Sequence, residues 1–492
     1  MMHDPTTTQA LTGKYEAIAY DALPQPLTHP SHVAAIMAMF GFDTPPVTTA
    51  RVLEIGCNDG SNLVPMAASL PRASFIGYDV APSAIRAARA AAEALGIANA
   101  SFVEADLASI DDGPFDYVIA HGIYSWVGAP VRDALFALAA RALAPNGIAF
   151  VSYNTHPGGH IRRAAALPLL WHVRAIADPR ERVAAARGLA ALLAEPGPTA
   201  EAADAALRAE WKRIAEEADS ALFHDSIGEP SEPVWFHEFV AHAARHGLAY
   251  VAEALPSMMT GGGLGPRMRQ FLASRNRLDR EQYLDFARVR RFRQSLLCRA
   301  DPTRDFEFAP ARLEGLYVSA SPPLVRSAAE SRIPTIPGPD GAVLRRLLDG
   351  LVAVAPEAIA VGTLLERTRD AFPPSGVRPA TAILLDAWLG GFAQLHAVPP
   401  KVTSTVEAQP LAAPVARWQA TRRETVTNLR HEAVKLTDPF LRALLPLCDG
   451  TRSSRDLARA LAGARDAGDP VLAAQIEDAL ASFGRLGLLS GQ

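Results

Sequence analysis

Cysteine is nearly absent. Cys57, Cys298 and Cys448 are the three thiols in 492 residues, too far apart to suggest a ligand pair or a disulfide ladder. Reduced, packed thiols in a cytoplasmic protein are the expectation. An excess of one charge is also missing: 48 Lys and Arg stand against 52 Asp and Glu, a formal net charge of -4. That balance argues against a general nucleic-acid binder held by phosphate contacts. No uninterrupted apolar run approaches the roughly 20 residues a membrane helix needs, so stable membrane insertion is not expected. No charged leader followed by an apolar stretch opens the chain, so no signal peptide is read. What remains is 49% hydrophobic and 20% charged residues, an ordinary soluble composition, in a chain long enough for two or three domains.

From Arg51 to Tyr153 short β-rich runs alternate with helical stretches. Strands are expected at Val52–Ile55, Ser74–Tyr78, Ser101–Glu104, Tyr117–Ala120 and Ile148–Val151. Helices are expected at Leu63–Leu70, Pro82–Leu95 and Asp133–Leu143, the last closed by a Pro145-Asn146-Gly147 turn. This alternation means βαβ units and a parallel, Rossmann-like α/β sheet covered on both faces. A helical, alanine-rich insertion spans about 164–225, broken by Pro179 and by Glu195-Pro196-Gly197-Pro198. A helix at Phe236–His246, a strand at Leu248–Ala252, a flexible loop at Gly261-Gly262-Gly263, a helix at Gln282–Val289 and a strand at Phe292–Leu297 follow. With a boundary near Asp301, residues 1–302 form the first unit. Residues 303–400 and 401–492 each read as three helices followed by a short strand, a weak repeat of two winged-helix-like modules. Their helices are expected at Val343–Val354, Val361–Phe372 and Ala380–Gln394, and then at Phe440–Leu447, Ser454–Leu461 and Ala473–Gly484.

The chemistry concentrates at Glu54-Ile55-Gly56-Cys57-Asn58-Asp59-Gly60, where a strand turns through glycine into a helix and backbone can approach a ligand closely. The turn does not match the G-x-G-x-x-G that cradles a pyrophosphate. An acid, Glu54, stands two places before the first glycine and suits a ligand carrying sulfonium and ammonium groups. Asp79 ends the second strand about 20 residues on, where an acid bonds ribose hydroxyls. Asp106 follows the third strand, where a carboxylate can accept from an adenine amino group. His121 lies at the carboxyl tip of the fourth. Doubly wound sheets bind ligands at these strand ends.

This order, with the turn at Leu143–Gly147, resembles the class I S-adenosylmethionine-dependent methyltransferases. It departs from them at Asn58, where most members have the middle glycine. Thr28-His29-Pro30, His121–Val127, Val151–Thr155, Glu232–Phe239 and Gln282–Gln294 further resemble bacterial methyltransferases that carry a methyltransferase regulatory domain. That group includes outer-membrane-protein lysine methyltransferases. The resemblance implies a class I methyltransferase sheet and S-adenosyl-L-methionine as cofactor, held by Tyr20, Glu54, Gly56, Cys57, Asn58, Gly60, Asp79, Val80, Asp106, Leu107 and His121. Tyr20 would sit in a lid. Two further departures bear on the acceptor. His156 and Gly159 replace the aromatics of a usual Tyr-Pro-Gly-Trp-His run, and the segment before Thr28 is short.

Methyl transfer from a sulfonium is an in-line displacement, and a lysine acceptor must first lose its proton, since its ordinary pKa is about 10.4. The strand tips offer His121, Tyr124, Trp126, Tyr153 and Asn154 as catalytic candidates. The Asn/Asp-Pro-Pro-aromatic motif of amide and adenine methyltransferases is absent. His242 and His246 share a helix face at ligand spacing, but no further ligand is evident and no metal is expected. The Arg-rich stretch from Arg267 to Arg304 reads as a salt-bridged solvent face. Protein lysine methylation leads. A small-molecule methyltransferase acting on a lipid, sugar or secondary metabolite and a non-catalytic cofactor-binding regulator remain open. The third helix of each C-terminal module lacks Lys and Arg, so these modules should not bind DNA. They are expected to grip a protein substrate or brace the first unit, and their removal to spare cofactor binding.

Overall fold

The protein is described here by a computed structural model covering residues 12–196, 202–301, 303–304, 306, 308–333, 338–369, 378–462 and 469–491. Seven strands form one sheet: β1 (Arg51–Ile55), β2 (Ser74–Asp79), β3 (Ala100–Glu104), β4 (Phe115–Ala120), β5 (Leu143–Asn154), β6 (Leu248–Glu253) and β7 (Phe292–Arg299). Their order is β3-β2-β1-β4-β5-β7-β6. β1 to β5 run parallel, and β7 is antiparallel to both β5 and β6. Strand order reverses between β1 and β4, which opens a crevice at their carboxyl ends. Helix Pro82–Ala94 starts on proline and buries Ile85, Ala88, Ala91 and Ala92 along one face, as its periodicity requires.

Several boundaries differ from the sequence reading. β5 runs unbroken through Pro145-Asn146-Gly147, and the irregularity appears as a register shift against β4 between Phe115 and Tyr117. The helix expected to reach Gln394 stops at Leu389, because Gly390-Gly391 turns the chain and Ala393–His396 then forms a strand. Helix Val361–Thr368 is shorter than expected, and the remainder to Phe372 lies beyond Arg369, partly outside the described residues. Pro446, which has no N–H to donate, tightens Leu445–Leu447 after helix Pro439–Leu444. The helical insertion contains Gly158–Val173, Pro179–Ala194 and Ala202–Glu216 around its own small core. Helix Pro179–Ala194 ends at the expected break, with Glu195 as its cap, and the Gly197-Pro198 part of that break lies outside the described residues.

The Arg-rich stretch is a solvent face only in part: Arg267, Arg269, Arg275, Arg291 and Arg299 are exposed, whereas Arg290 and Arg293 are buried. Arg293 is fully buried, with Glu281 and Asp285 of helix Arg277–Arg288 and Glu253 of β6 as its partners. Arg277 donates to the Tyr250 and Val251 carbonyls, and Arg288 to those of Thr260 and Gly262 in the glycine loop. These guanidinium groups fasten helix Arg277–Arg288 to the sheet edge and its loop.

Beyond residue 301, β8 (Tyr317–Ala320) is flanked by β9 (Ala358–Ala360) and β10 (Ala393–His396). The same arrangement recurs in miniature, where Leu411 bridges Asp449 and Ala412 bridges Leu489. In both halves the central strand precedes the helices and the flanking strands come between and after them. A hairpin of β11 (Thr425–Thr427) and β12 (Ala433–Lys435) is added in the second. Leu347, Leu351, Trp388 and Leu395 share one buried cluster with Ile36, Met37, Val52 and Met66. The hydrophobic core is therefore continuous across residue 301.

Candidate active site

A cavity of about 200 Å³ lies at the carboxyl ends of β1, β2 and β4, roofed by the segment around Tyr20 and by residues 224–225 of the insertion. Tyr20, Glu54, Gly56, Cys57, Asn58, Asp79, Val80, Asp106, Leu107, His121 and Trp126 all line it. Gly60 does not; it turns the chain beneath the cavity with a φ of 76°. At Gly56, with φ 73°, an added Cβ would collide with Ile123 Cδ1, so the close passage of backbone here requires glycine.

Asp79 is held by two backbone N–H groups, from Asn58 and Ala81, each at 2.9 Å. Burial raises its pKa and these bonds oppose the rise. Asn58 explains its own departure from glycine: it takes the left-handed conformation that asparagine tolerates, and its Nδ2 donates to the Tyr20 carbonyl at 3.3 Å. It thereby ties the roof to the glycine turn. Asp106 accepts from Ala108 N and starts a short helical turn at Leu107.

Glu54 is buried. Its Oε1 accepts from Asn62 Nδ2 at 2.7 Å, whereas Oε2 has no hydrogen-bond partner among the described residues. Burial pushes its pKa up to about 8. A buried carboxyl oxygen without a partner, beside a cavity, fits the cationic end of S-adenosylmethionine, and the Gly56 passage fits the same ligand. His121 is buried beside Phe150 and Phe292, and its pKa falls to about 4 by desolvation. It is therefore neutral at pH 7.

Of the other catalytic candidates, Trp126 lines the cavity, whereas Tyr124, Tyr153 and Asn154 do not. Tyr124 is buried in the turn Tyr124–Trp126, its hydroxyl bonded to His242 Nδ1 at 2.9 Å and its carbonyl to Arg132. Tyr153 lies in the sheet core, stacked on Phe239 and bonded to Ser295 Oγ at 3.2 Å. Asn154 faces the insertion, its backbone N–H held by Ser125 Oγ. These residues position the β4–β5 tips by packing. His156 stacks on His160, and Gly159 leaves room for Pro233, which an added Cβ would approach to 2.6 Å. Neither lines the cavity.

Sequence reasoning missed one wall of the cavity. Tyr15, His224 and Asp225 close the cavity from the N-terminal segment and the insertion. Tyr20 Oη donates to Asp225 Oδ2 at 3.1 Å, and Tyr15 stacks on His224 with ring centroids 4.6 Å apart. Burial raises the Asp225 pKa against the Tyr20 bond and nearby Arg162. No local pattern announces Asp225, which sits in the π-helical turn Leu222–Ser226, 205 residues from Tyr20. The structure also adds Asp133 to the His242 and His246 pair. Its Oδ1 lies 2.9 Å from His246 Nε2 and 3.4 Å from His242 Nε2, which supplies the third ligand-bearing group the sequence did not reveal.

Comparisons with known proteins agree with this layout. Residues 53–149 match a methyltransferase domain, 218–299 a predicted methyltransferase regulatory domain, and 408–482 the description "PKMT, C-terminal winged helix domain". The Rickettsia prowazekii protein RP789 is 36% identical over 304 residues, covering 60% of this chain and 54% of its own length. The chain thus spans about half of that relative. RP028 of the same organism is 30% identical over 240 residues, covering 47% of this chain and 96% of its own. PKMT2 from Rickettsia typhi, also solved in complex with AdoHcy, superposes with a TM-score of 0.81 at 24% identity, covering 96% of this chain and all of that one. The cavity at the β1–β4 switch point, its acids in order at successive strand ends and these three matches have one meaning. The chain belongs to the bacterial S-adenosylmethionine-dependent methyltransferases that carry a methyltransferase regulatory domain and a PKMT winged helix.

Proposed function

We propose that this protein is a protein lysine N-methyltransferase. The observation that carries the reading is the Tyr20–Asp225 pair, which faces the same cavity as Glu54 and Asp79. When bound, S-adenosylmethionine supplies a methyl group on an electrophilic sulfonium. Glu54 holds the cationic end of the methionine moiety, Asp79 the ribose hydroxyls and Asp106 the adenine edge. Gly56 and Leu107 bring backbone and apolar surface against it. The acceptor lysine enters past Tyr15, Tyr20 and Trp126, whose rings exclude water and favour the neutral amine. Asp225, desolvated and raised in pKa, takes the ammonium proton, and Tyr20 orients its carboxylate.

The winged-helix family description and the extent of the C-terminal region support a protein acceptor over a small molecule. The described residues contain no helix long and apolar enough to cross a membrane, and three buried free thiols suit the cytoplasm. Helix Ala380–Leu389 has one charge, Asp386, and it is paired with Arg378. The corresponding helix of the second module runs Pro470–Arg485, so it includes one base, Arg485, which the sequence reading left out, beside Glu477 and Asp478; we assign both modules to substrate contact and bracing rather than DNA. We treat 1–302, 303–400 and 401–492 as the units of function.

Asp225→Asn should lower kcat by about 100-fold or more, within the usual 10²–10⁴ range for a general base, and leave AdoHcy affinity within about twofold. Steady-state kinetics with calorimetry separates the two. Wild-type turnover in this variant would remove Asp225 from proton transfer, and an equal loss in both quantities would place it with the cofactor.

A further inference from the structure

The β11–β12 hairpin of the C-terminal winged helix presses its tip, Asn428–Glu432, against the glycine-turn region of the sheet domain. His431 stands at that tip. It is buried and has a φ of 61°, an uncommon conformation for a non-glycine residue. The Asn428 side chain holds it there, accepting from the N–H groups of Arg430 and Glu432. From this position His431 Nε2 lies 2.8 Å from Asn62 Oδ1.

Asn62 is a four-way junction. Its Oδ1 also accepts from the backbone N–H of Gln25, at 2.9 Å. Its Nδ2 donates to Glu54 Oε1 at 2.7 Å and to Thr28 Oγ1 at 3.0 Å. With Oδ1 fixed as acceptor, His431 must carry its proton on Nε2 and donate it. One residue before the junction, Ser61 Oγ receives a second reach from the same module, Arg423 Nη1, at 3.4 Å. A buried amide bonded at both ends is held against rotation, and it anchors one oxygen of the Glu54 carboxyl group, Oε1.

We infer that His431 is a positioning residue for cofactor binding: through Asn62 it fixes the Glu54 carboxylate, so the C-terminal module completes the cofactor site without touching the ligand. The inference rests on the proposed S-adenosylmethionine site. Without His431, Asn62 Oδ1 keeps the Gln25 N–H but loses a buried donor, which loosens the amide that holds Glu54 Oε1. Burial holds the imidazole neutral at physiological pH, as donation through one nitrogen requires.

The test is calorimetric binding of AdoHcy to the full-length protein from pH 6.5 to 8.5. Wild type, His431→Phe, which keeps the ring but loses the donor, and His431→Gln, whose Nε2–H can replace it, are compared. The titratable groups around Glu54 and its cavity are Tyr15, Tyr20, Cys57, Asp59, Tyr78, Asp79, Asp106, His121, His224 and Asp225, with His29 and His431 on the far side of Asn62. All but His431 are common to the three proteins. His431→Phe should bind about tenfold more weakly, the scale of one buried hydrogen bond, and the pH at which affinity rises should move. His431→Gln should recover most of both. If phenylalanine is not accommodated, His431→Ala gives the same comparison. Wild-type affinity and pH profile in a folded donor-less variant would overturn the inference, and so would a loss that His431→Gln does not relieve. No binding by the wild type would overturn the cofactor site itself, and this inference with it.

Discussion

Glu54 and Asp79 are both buried acids at strand ends, yet their surroundings prepare them differently. Asp79 is satisfied by two backbone N–H groups and keeps lone pairs for a ribose. Asp79→Asn should weaken AdoHcy binding roughly 10- to 100-fold, the loss of a charge-assisted bond. Calorimetry beside a thermal melt would separate this from unfolding. Glu54, with its pKa pushed up to about 8, is protonated at pH 7 when no cation is near. A cationic ligand lowers that pKa, so binding at pH 7 should release a proton and affinity should rise as pH climbs toward about 8. Calorimetry in buffers of different ionisation enthalpy reads the release directly, and Glu54→Gln should abolish it. Tyr153→Phe should leave kcat unchanged and cost about 1 kcal/mol of stability, because its hydroxyl bonds Ser295 inside the sheet. The cofactor acids were legible because each stands at a strand end with family spacing. Asp225, Asn62 and His431 were not, since their meaning comes from partners far away in sequence.

At the scale of elements, helix Arg277–Arg288 is fixed to the sheet edge by Arg293, which sits among Glu253, Glu281 and Asp285. Removing it leaves three buried carboxyl groups with Arg290 as the remaining arginine beside Glu281 and Asp285. Arg293→Met should destabilise the protein by about 3–5 kcal/mol in denaturant unfolding, while an exposed arginine such as Arg267 would change little. The sequence pattern reads this stretch as solvent-facing because acids and bases alternate there. Alternation of charge does not distinguish an exposed ladder from a buried cluster. Strands β1 to β4 were legible within a residue or two, since buried parallel strands write apolar runs bounded by turns. The end of helix Ala380–Leu389 was missed although Gly390-Gly391 marks it, because the apolar period continues into β10.

For the whole molecule, the continuous core and the proposed His431 junction argue that removing the C-terminal modules costs cofactor binding, against the expectation from sequence that it is spared. Cutting the chain after residue 334 would strip Leu347, Leu351, Trp388 and Leu395 from a shared cluster. The remaining protein should melt earlier and bind AdoHcy more weakly. The recurrence of strand order in the two modules was partly visible as a repeat of three helices and a strand, but the leading central strand of each was too short to read. The claim that unites these scales is methyl transfer to lysine in a protein. Its most direct measurement is incubation of the full-length enzyme with methyl-labelled S-adenosylmethionine and a cell lysate, then acid hydrolysis of the protein fraction and separation of its amino acids. The account predicts label in methylated lysine, lost with Asp225→Asn. Label confined to small molecules, or no label from a protein that binds AdoHcy, would contradict it.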